Sequence, residues 1–240
     1  MQVFQQPLFS RSWQPFLRNR KDERLYMMET SETVKAFRRV IIVTDGDHLA
    51  KRALQIAARR VHARIISQSA GNPTPLSGVE MVNLIKKTPY DPVIVMLDDN
   101  GNRNQGGGEE ALQVLLSHPD IKVIGALAVA SNTSLVRGVP VDFSIDCEGR
   151  RVETGVNKDG VAIRRYLVYG DTVDALRGLE APVIVGIGDI GKMGGRDAPE
   201  RGAPITTRAL KVLIHTYEHH NQAHRPSHLP RSVHRLDHHS

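Results

Sequence analysis

The sequence holds a single cysteine, Cys147, in 240 residues. A lone thiol closes no internal disulfide, and no Cys/His ladder with structural-zinc spacing stands in for one, so packing has to hold the fold together and a reducing compartment suits the chain. Long apolar runs are also missing. The longest, Val123 to Ala130, is broken by Gly125 and falls far short of the ~20 residues that a bilayer-crossing helix needs. Tryptophan occurs once, at Trp13, in a stretch of Gln, Pro, Arg and scattered aromatics with the period of neither a strand nor a helix. Residues 1–37 are therefore expected to form a disordered extension outside the core.

Met1 to Arg20 contains Arg11, Arg18 and Arg20 and no acid, like an organelle transit peptide, but lacks the apolar centre of a secretory signal. Lys21, Asp22, Glu23 and Arg24 can all be written with purine-rich codons just upstream of Met27 and Met28, as a bacterial ribosome-binding site would be. A translation start at Met27 or Met28 is the expectation.

The net charge of +6 and pI of about 9.6 point toward nucleic acid until the charge is located. Residues 1–39 carry eight basic and four acidic side chains, and residues 216–240 three and two. The stretch from 40 to 215 carries 21 and 20, a net +1. Basic character thus belongs to the two ends, and no nucleic-acid partner is expected for the near-neutral middle. The 40% hydrophobic content of the whole sequence is enough for a real core.

From Arg39 onward short β-branched runs alternate with amphipathic stretches. Strands are predicted over Val40–Thr44, Arg64–Gln68, Pro92–Leu97, Val123–Ala130 and Pro182–Gly186, and helices over Leu49–Arg60, Gly78–Lys87, Glu109–Ser117, Asp171–Arg177 and Thr206–Tyr217. Ser77 with Glu80 three residues on has the spacing of a capping box. Between Val141 and Tyr169 the turns Asp146-Cys147-Glu148-Gly149 and Asn157-Lys158-Asp159-Gly160 separate short polar strands, a small antiparallel insertion. The β-α-β-α-β-α-β order implies an α/β fold, a three-layer, mostly parallel sheet with helices on both faces, in one domain over residues 38–217. Residues 218–240 read as a disordered, His-rich tail that binds transition metals at most loosely, since its histidines have no fixed spacing.

Open parallel sheets bind ligands beyond the carboxyl ends of their strands. Those ends carry Asp45 and Asp47, then Ser67, Ser69 and Asn72, then Asp98 and Asp99, then Ser131, and finally Asp189. Aspartates gathered on one rim repel unless a cation or a basic side chain separates them. Asp45, Asp98, Asp99 and Asp189 are accordingly the candidate ligands of a divalent cation, calcium or magnesium. The bland alternative is that these aspartates cap helices and close turns.

Other motifs fail on context. Asp98, Asn100, Asn102 and Glu109 match a calcium loop in part, but Arg103 stands where that loop needs glycine. Gly106 to Gly108 precede a helix whose first turn, with Glu109 and Glu110, repels phosphate. Gly186 to Gly191 fits the dinucleotide fingerprint in letters only, because a Gly- and Pro-rich segment follows where a helix should, and Asp189 faces the pyrophosphate site. Gly191-Lys192 lacks the rest of a P-loop. His118 reads as a cation at a helix end, no histidine partners Ser67 or Ser69, and no nucleophile elbow occurs. No catalytic set emerges.

Taken together, Val43 to Asp47, Ser67 to Thr74 (SQSAGNPT), Pro92 to Asp99, Ser117 to Ile121, Ala128 to Ser131, Gly170 to Val173 and the segment from Gly186 (GIGDIGKMGG) to Thr206 closely resemble the stage V sporulation protein AE family. This is the soluble member encoded with the SpoVA membrane proteins of endospore-forming bacteria. The resemblance covers roughly residues 38–215 and leaves both ends out. It implies an accessory role in moving dipicolinic acid, usually with calcium, into the forming spore and out at germination. It also implies a peripheral place at the inner spore membrane beside other SpoVA proteins. Asp45, Asp98, Asp99 and Asp189 would then meet calcium dipicolinate. The competing expectation is a metal-dependent phosphotransfer or nucleic-acid enzyme of topoisomerase-primase type, which also places acids after neighbouring parallel strands. That pattern wants a glutamate on the first strand and Asp-x-Asp later, whereas this chain has Asp45 and adjacent Asp98-Asp99.

Overall fold

The computed structural model describes residues 37–99, 106–132, 136–170, 172–179 and 181–223. The N-terminal extension, Asn100, Asn102 and Arg103 of the partial calcium loop, Asp171 and the tail beyond Ala223 lie outside them. Nine strands are described: β1 (Arg38–Val43), β2 (Arg64–Ile65), β3 (Val93–Met96), β4 (Ile121–Val129), β5 (Val139–Pro140), β6 (Phe143–Ile145), β7 (Arg151–Val152), β8 (Leu167–Val168) and β9 (Ile184–Ile187). The α-helices are α1 (His48–Arg60), α2 (Gly78–Lys87), α3 (Gly107–Ser117) and α4 (Pro204–Ala223).

Seven strands form one sheet in the order β2-β3-β1-β4-β9-β6-β7, parallel except for β7. β1 is an interior strand, between β3 and β4, and its Val40 to Val43 are buried on both faces, the pattern that a strand covered by helices on each side requires. Its register runs Val40 to Val93 and Val43 to Met96 on one side, and Val43 to Leu127 on the other. Ile41 and Val43 point into a core shared with Ala53, Leu54 and Ala57 of α1 and Leu210 and Leu213 of α4. Val40 and Ile42 point into a second core with Met81 and Ile85 of α2 and Leu112 and Leu115 of α3. The three-layer α/β reading of the sequence therefore holds. Gly125 in β4 is required by this packing, since a Cβ there would meet the Val183 carbonyl at 2.6 Å and the Leu213 side chain at 2.9 Å.

Caps fix the helix starts. The Asp47 carboxylate accepts from the Ala50 N–H at 2.7 Å, and Ser77 and Glu80 form the expected capping box at α2. Four elements depart from the expectations. The second strand stops at Ile65, because the Ser69 hydroxyl donates to the Ile66 carbonyl and accepts from the Met96 N–H, winding Ser67–Ser69 into a 3-10 turn. The insertion is only partly antiparallel: Phe143–Ile145 joins the main sheet parallel to β9, with β7 folded back on it, while β5 and β8 form a separate antiparallel pair. The helix predicted over Asp171–Arg177 is a 3-10 turn, Val173–Leu176. The last helix begins at Pro204 and continues past Tyr217, so residues 218–223, expected to be disordered, are helical.

Candidate functional site

The chain leaves β1 over one face, through α1, and leaves β4 over the other, packing Val139, Val168, Val173 and Leu176 into the second core. Between the carboxyl ends of these adjacent strands the connections diverge and leave a crevice, the switch point of an open parallel sheet. Thr44 holds it open. Its hydroxyl takes the Val129 N–H at 2.9 Å where the next backbone partner of the ladder would stand. The resulting cleft of about 140 Å³ is lined by Asp45 and Asp47 after β1, Asn72, Asp98 after β3, Ser131 after β4, and Asp189 and Lys192 after β9. Its size suits a small polar ligand or the edge of a larger one.

Acids and one lysine dominate. The Lys192 ammonium lies 2.6 Å from Asp47 Oδ2 and 3.0 Å from Asp189 Oδ1. Asp45, Asp47 and Asp189 each place one carboxylate oxygen within 4.8 Å of the others. Asp45 Oδ1 accepts from the Asp47 N–H at 3.0 Å. Burial, followed by repulsion from Asp47 and Asp189, pushes the Asp45 pKa up to about 7 even against this bond. Burial raises Asp189 as well, with Lys192 partly offsetting it. For Asp47, burial is outweighed by the Ala50 N–H and the Lys192 ammonium, which hold its carboxyl below the usual range. Burial works against the Lys192 charge, but hydrogen bonds to Asp47 and Asp189 keep its pKa above that of an ordinary lysine. Lys192 is thus a fixed cation rather than a nucleophile, and Asp45 exchanges its proton near neutrality.

Asp98 is buried against Gly46, where an added Cβ would reach the Asp98 Cβ at 2.7 Å and would also run into the Gly71 carbonyl. Thr74 clamps this turn: its N–H and hydroxyl donate to the Asp98 carbonyl at 2.9 and 3.0 Å, and its hydroxyl accepts the Asp98 N–H at 2.7 Å. The loop after β9 is tied down from two sides. The Asp189 N–H donates to the Lys158 carbonyl at 2.8 Å, a contact made by the insertion. Asp197, fully buried, accepts from the Gly191 N–H at 2.9 Å and from Ile205 N–H, Thr206 N–H and the Thr206 hydroxyl at the start of α4.

The structure therefore gathers Asp45, Asp47, Asn72, Asp98, Ser131 and Asp189 around one cleft and leaves three expected residues outside it. Asp99 turns away because Oδ1 accepts from the Gly108 and Glu109 N–H groups at 2.7 and 3.2 Å, capping α3. Its carboxylate fills the anion site that the backbone N–H groups at the start of α3 would otherwise offer a phosphate. Ser67 lies near the β2 edge with its hydroxyl on Gln55, and Ser69 is spent inside the sheet as described above. The oxygen set expected for a divalent cation is redrawn accordingly. Asp47 joins Asp45 and Asp189, Asp98 lines the same cleft, and Asp99 drops out. Reasoning from the sequence missed Lys192, Thr44, Asp197 and Thr172, which also lines the cleft and whose hydroxyl accepts the Asp99 N–H at 3.1 Å. The one available signal was the spacing of Lys192 three residues after Asp189 in a tight glycine-rich loop, a spacing that brings the two charges together.

The family model described as Stage V sporulation protein AE1 matches residues 39–216. No curated protein and no solved structure matches the chain. Among the described residues no helix is long and apolar enough to cross a membrane.

Proposed function

The chain belongs to the stage V sporulation protein AE1 family, a sporulation-related SpoVA protein, and from that premise we propose that it is a non-enzymatic accessory subunit of the SpoVA system for moving dipicolinic acid. It works at the inner spore membrane as a peripheral protein beside the other SpoVA components, and its switch-point cleft receives the calcium chelate of dipicolinate. The observation that carries this reading is the cleft shared by Asp45, Asp47, Asp98 and Asp189, in which Lys192 is the one basic side chain among the described lining residues and pairs with Asp47 and Asp189. A free dicarboxylate is repelled by such a lining. Calcium takes six to eight hard oxygen ligands, so a chelate whose calcium keeps open positions finds carboxylate donors there. The donor set fits calcium chemically, with Lys192 as the resident cation that an incoming ion has to displace from Asp47 and Asp189.

The test is capture of partners from spore inner membranes with the tagged full-length chain, together with an assay for phosphodiester cleavage in magnesium or manganese. The expected result is recovery of SpoVA membrane proteins and no turnover. Cleavage that disappears in Asp98→Asn, without membrane partners, would replace this reading with the topoisomerase-primase one, since Asp45 and Asp98 follow the neighbouring parallel strands β1 and β3.

A further inference from the structure

Away from the cleft, α4 carries His215 and His219 one turn apart, both exposed. Residues at this spacing share one helix face. Their rings meet with centroids 4.2 Å apart, tilted by 56°, and the two Nε2 atoms stand 2.9 Å from each other. Two imidazole nitrogens bound to one metal at about 2.0–2.1 Å, as is usual for His ligands, lie about 2.9 Å apart when they meet at a right angle and about 3.4 Å apart in a tetrahedron. The pair already has the separation of a right-angle chelate, and the hydrogen bond that now joins the two nitrogens gives way when a metal takes its place.

From this the geometry points to a bis-histidine transition-metal site on the outer face of α4, built from His215 and His219 and suited to copper(II) or nickel(II). Imidazole donors select this class over calcium and magnesium, which prefer oxygen. A right-angle pair leaves the remaining coordination positions to water or to a ligand brought by another molecule. The helix preorganises the two donors, since the face of α4 that bears Leu210, Leu213 and Tyr217 is buried against the sheet. The Glu218 carboxylate beside the pair is engaged by Arg39 at 3.4 Å. The site is independent of the cleft and of the function proposed for it.

The decisive experiment is calorimetric titration of copper(II) chloride and nickel(II) chloride into the full-length chain with His220, His224, His228, His234, His238 and His239 replaced by glutamine. This leaves His215 and His219 as the helix pair. One saturable site per chain is expected, tighter for copper than for nickel as the usual affinity order requires, unaffected by calcium, and accompanied by nitrogen hyperfine structure in the copper spectrum. Adding His215→Gln or His219→Gln is expected to weaken it ~tenfold or more, at least what losing an outer-shell partner of a ligand costs. Slower amide exchange over residues 215–223 on adding copper, absent in the His219→Gln form, locates the ion on α4. No saturable site, or one whose affinity survives His215→Gln, would overturn the assignment.

Discussion

One ammonium, that of Lys192, joins carboxylates from two separate strand ends, standing 2.6 Å from Asp47 Oδ2 after β1 and 3.0 Å from Asp189 Oδ1 after β9. The contact spans the switch point and fastens the loop after β9 to the start of α1, whose cap is the same Asp47. Replacing Lys192 with methionine leaves Asp45, Asp47 and Asp189 to repel one another. The Lys192 and Asp47 side chains are 43% and 36% exposed, so solvent screening limits the loss to about 1 kcal/mol at pH 7. The depressed Asp47 pKa means that this stabilisation is present above the unfolded value of 3.8 and fades as pH falls through the folded one. Urea melts of Lys192→Met and the parent are therefore expected to differ at pH 7 and to converge in acid, once the pH has fallen through the lowered Asp47 value.

Asp45 has the opposite sign. Its pKa is raised from 3.8 to about 7, so between those values the folded chain holds a proton that the unfolded chain has lost, and stability falls as pH rises through this window. Asp45→Asn removes the titration while keeping an oxygen for the Asp47 N–H. The variant is expected to gain on the parent steadily from about pH 4 to pH 7, then hold a constant lead of about 1–2 kcal/mol. That is a fraction of the roughly 4 kcal/mol such a shift carries for a group sealed from water, because Asp45 still touches solvent in the cleft. Chemical denaturation across pH 4 to 8 measures it.

Gly46 is a steric test of the cleft. A methyl group there collides with the Gly71 carbonyl and the Asp98 side chain, neither of which is a flexible tip. Gly46→Ala is expected to cost about 2–3 kcal/mol, the range for forcing atoms into a packed site, whereas Gly178→Ala, with no atom within 4 Å of the new Cβ but a φ of +79°, is expected to cost only about 1 kcal/mol from backbone strain. The difference between the two melting temperatures separates close packing from conformational strain.

Asp197 holds the β9 loop to α4 through four hydrogen bonds inside the protein. Asp197→Ala strands those donors without water, and a loss of about 3–4 kcal/mol is expected. Asp197→Asn keeps one oxygen for Ile205 and Thr206 but turns an amide toward the Gly191 N–H. It should fold, with faster amide exchange at Gly191 and Lys192.

The parallel sheet was legible because its strands are short, β-branched and buried on both faces, and the rim of acids because aspartates directly follow those strands. What was not legible came from contacts between distant segments. Nothing near Asp99 in the chain announces that Gly108, nine residues on, claims its carboxylate, and nothing near Ser69 announces the Met96 N–H that draws it into the sheet. Phe143–Ile145 reads as part of a polar insertion because it is only three residues long, and β9 alone recruits it as a parallel strand. Lys192 was visible as a residue but not as the counter-charge of Asp47, 145 positions away.

Calorimetric titration of calcium dipicolinate into the full-length chain and into Asp189→Asn, with calcium alone and dipicolinate alone as controls, tests the proposed role of the cleft most directly. The account predicts one site for the chelate, weak or no response to free dipicolinate, and a loss of ~tenfold or more in Asp189→Asn, the scale of about 1.4 kcal/mol. Equal affinity in the two proteins, or binding of dipicolinate without calcium as tight as that of the chelate, would contradict it.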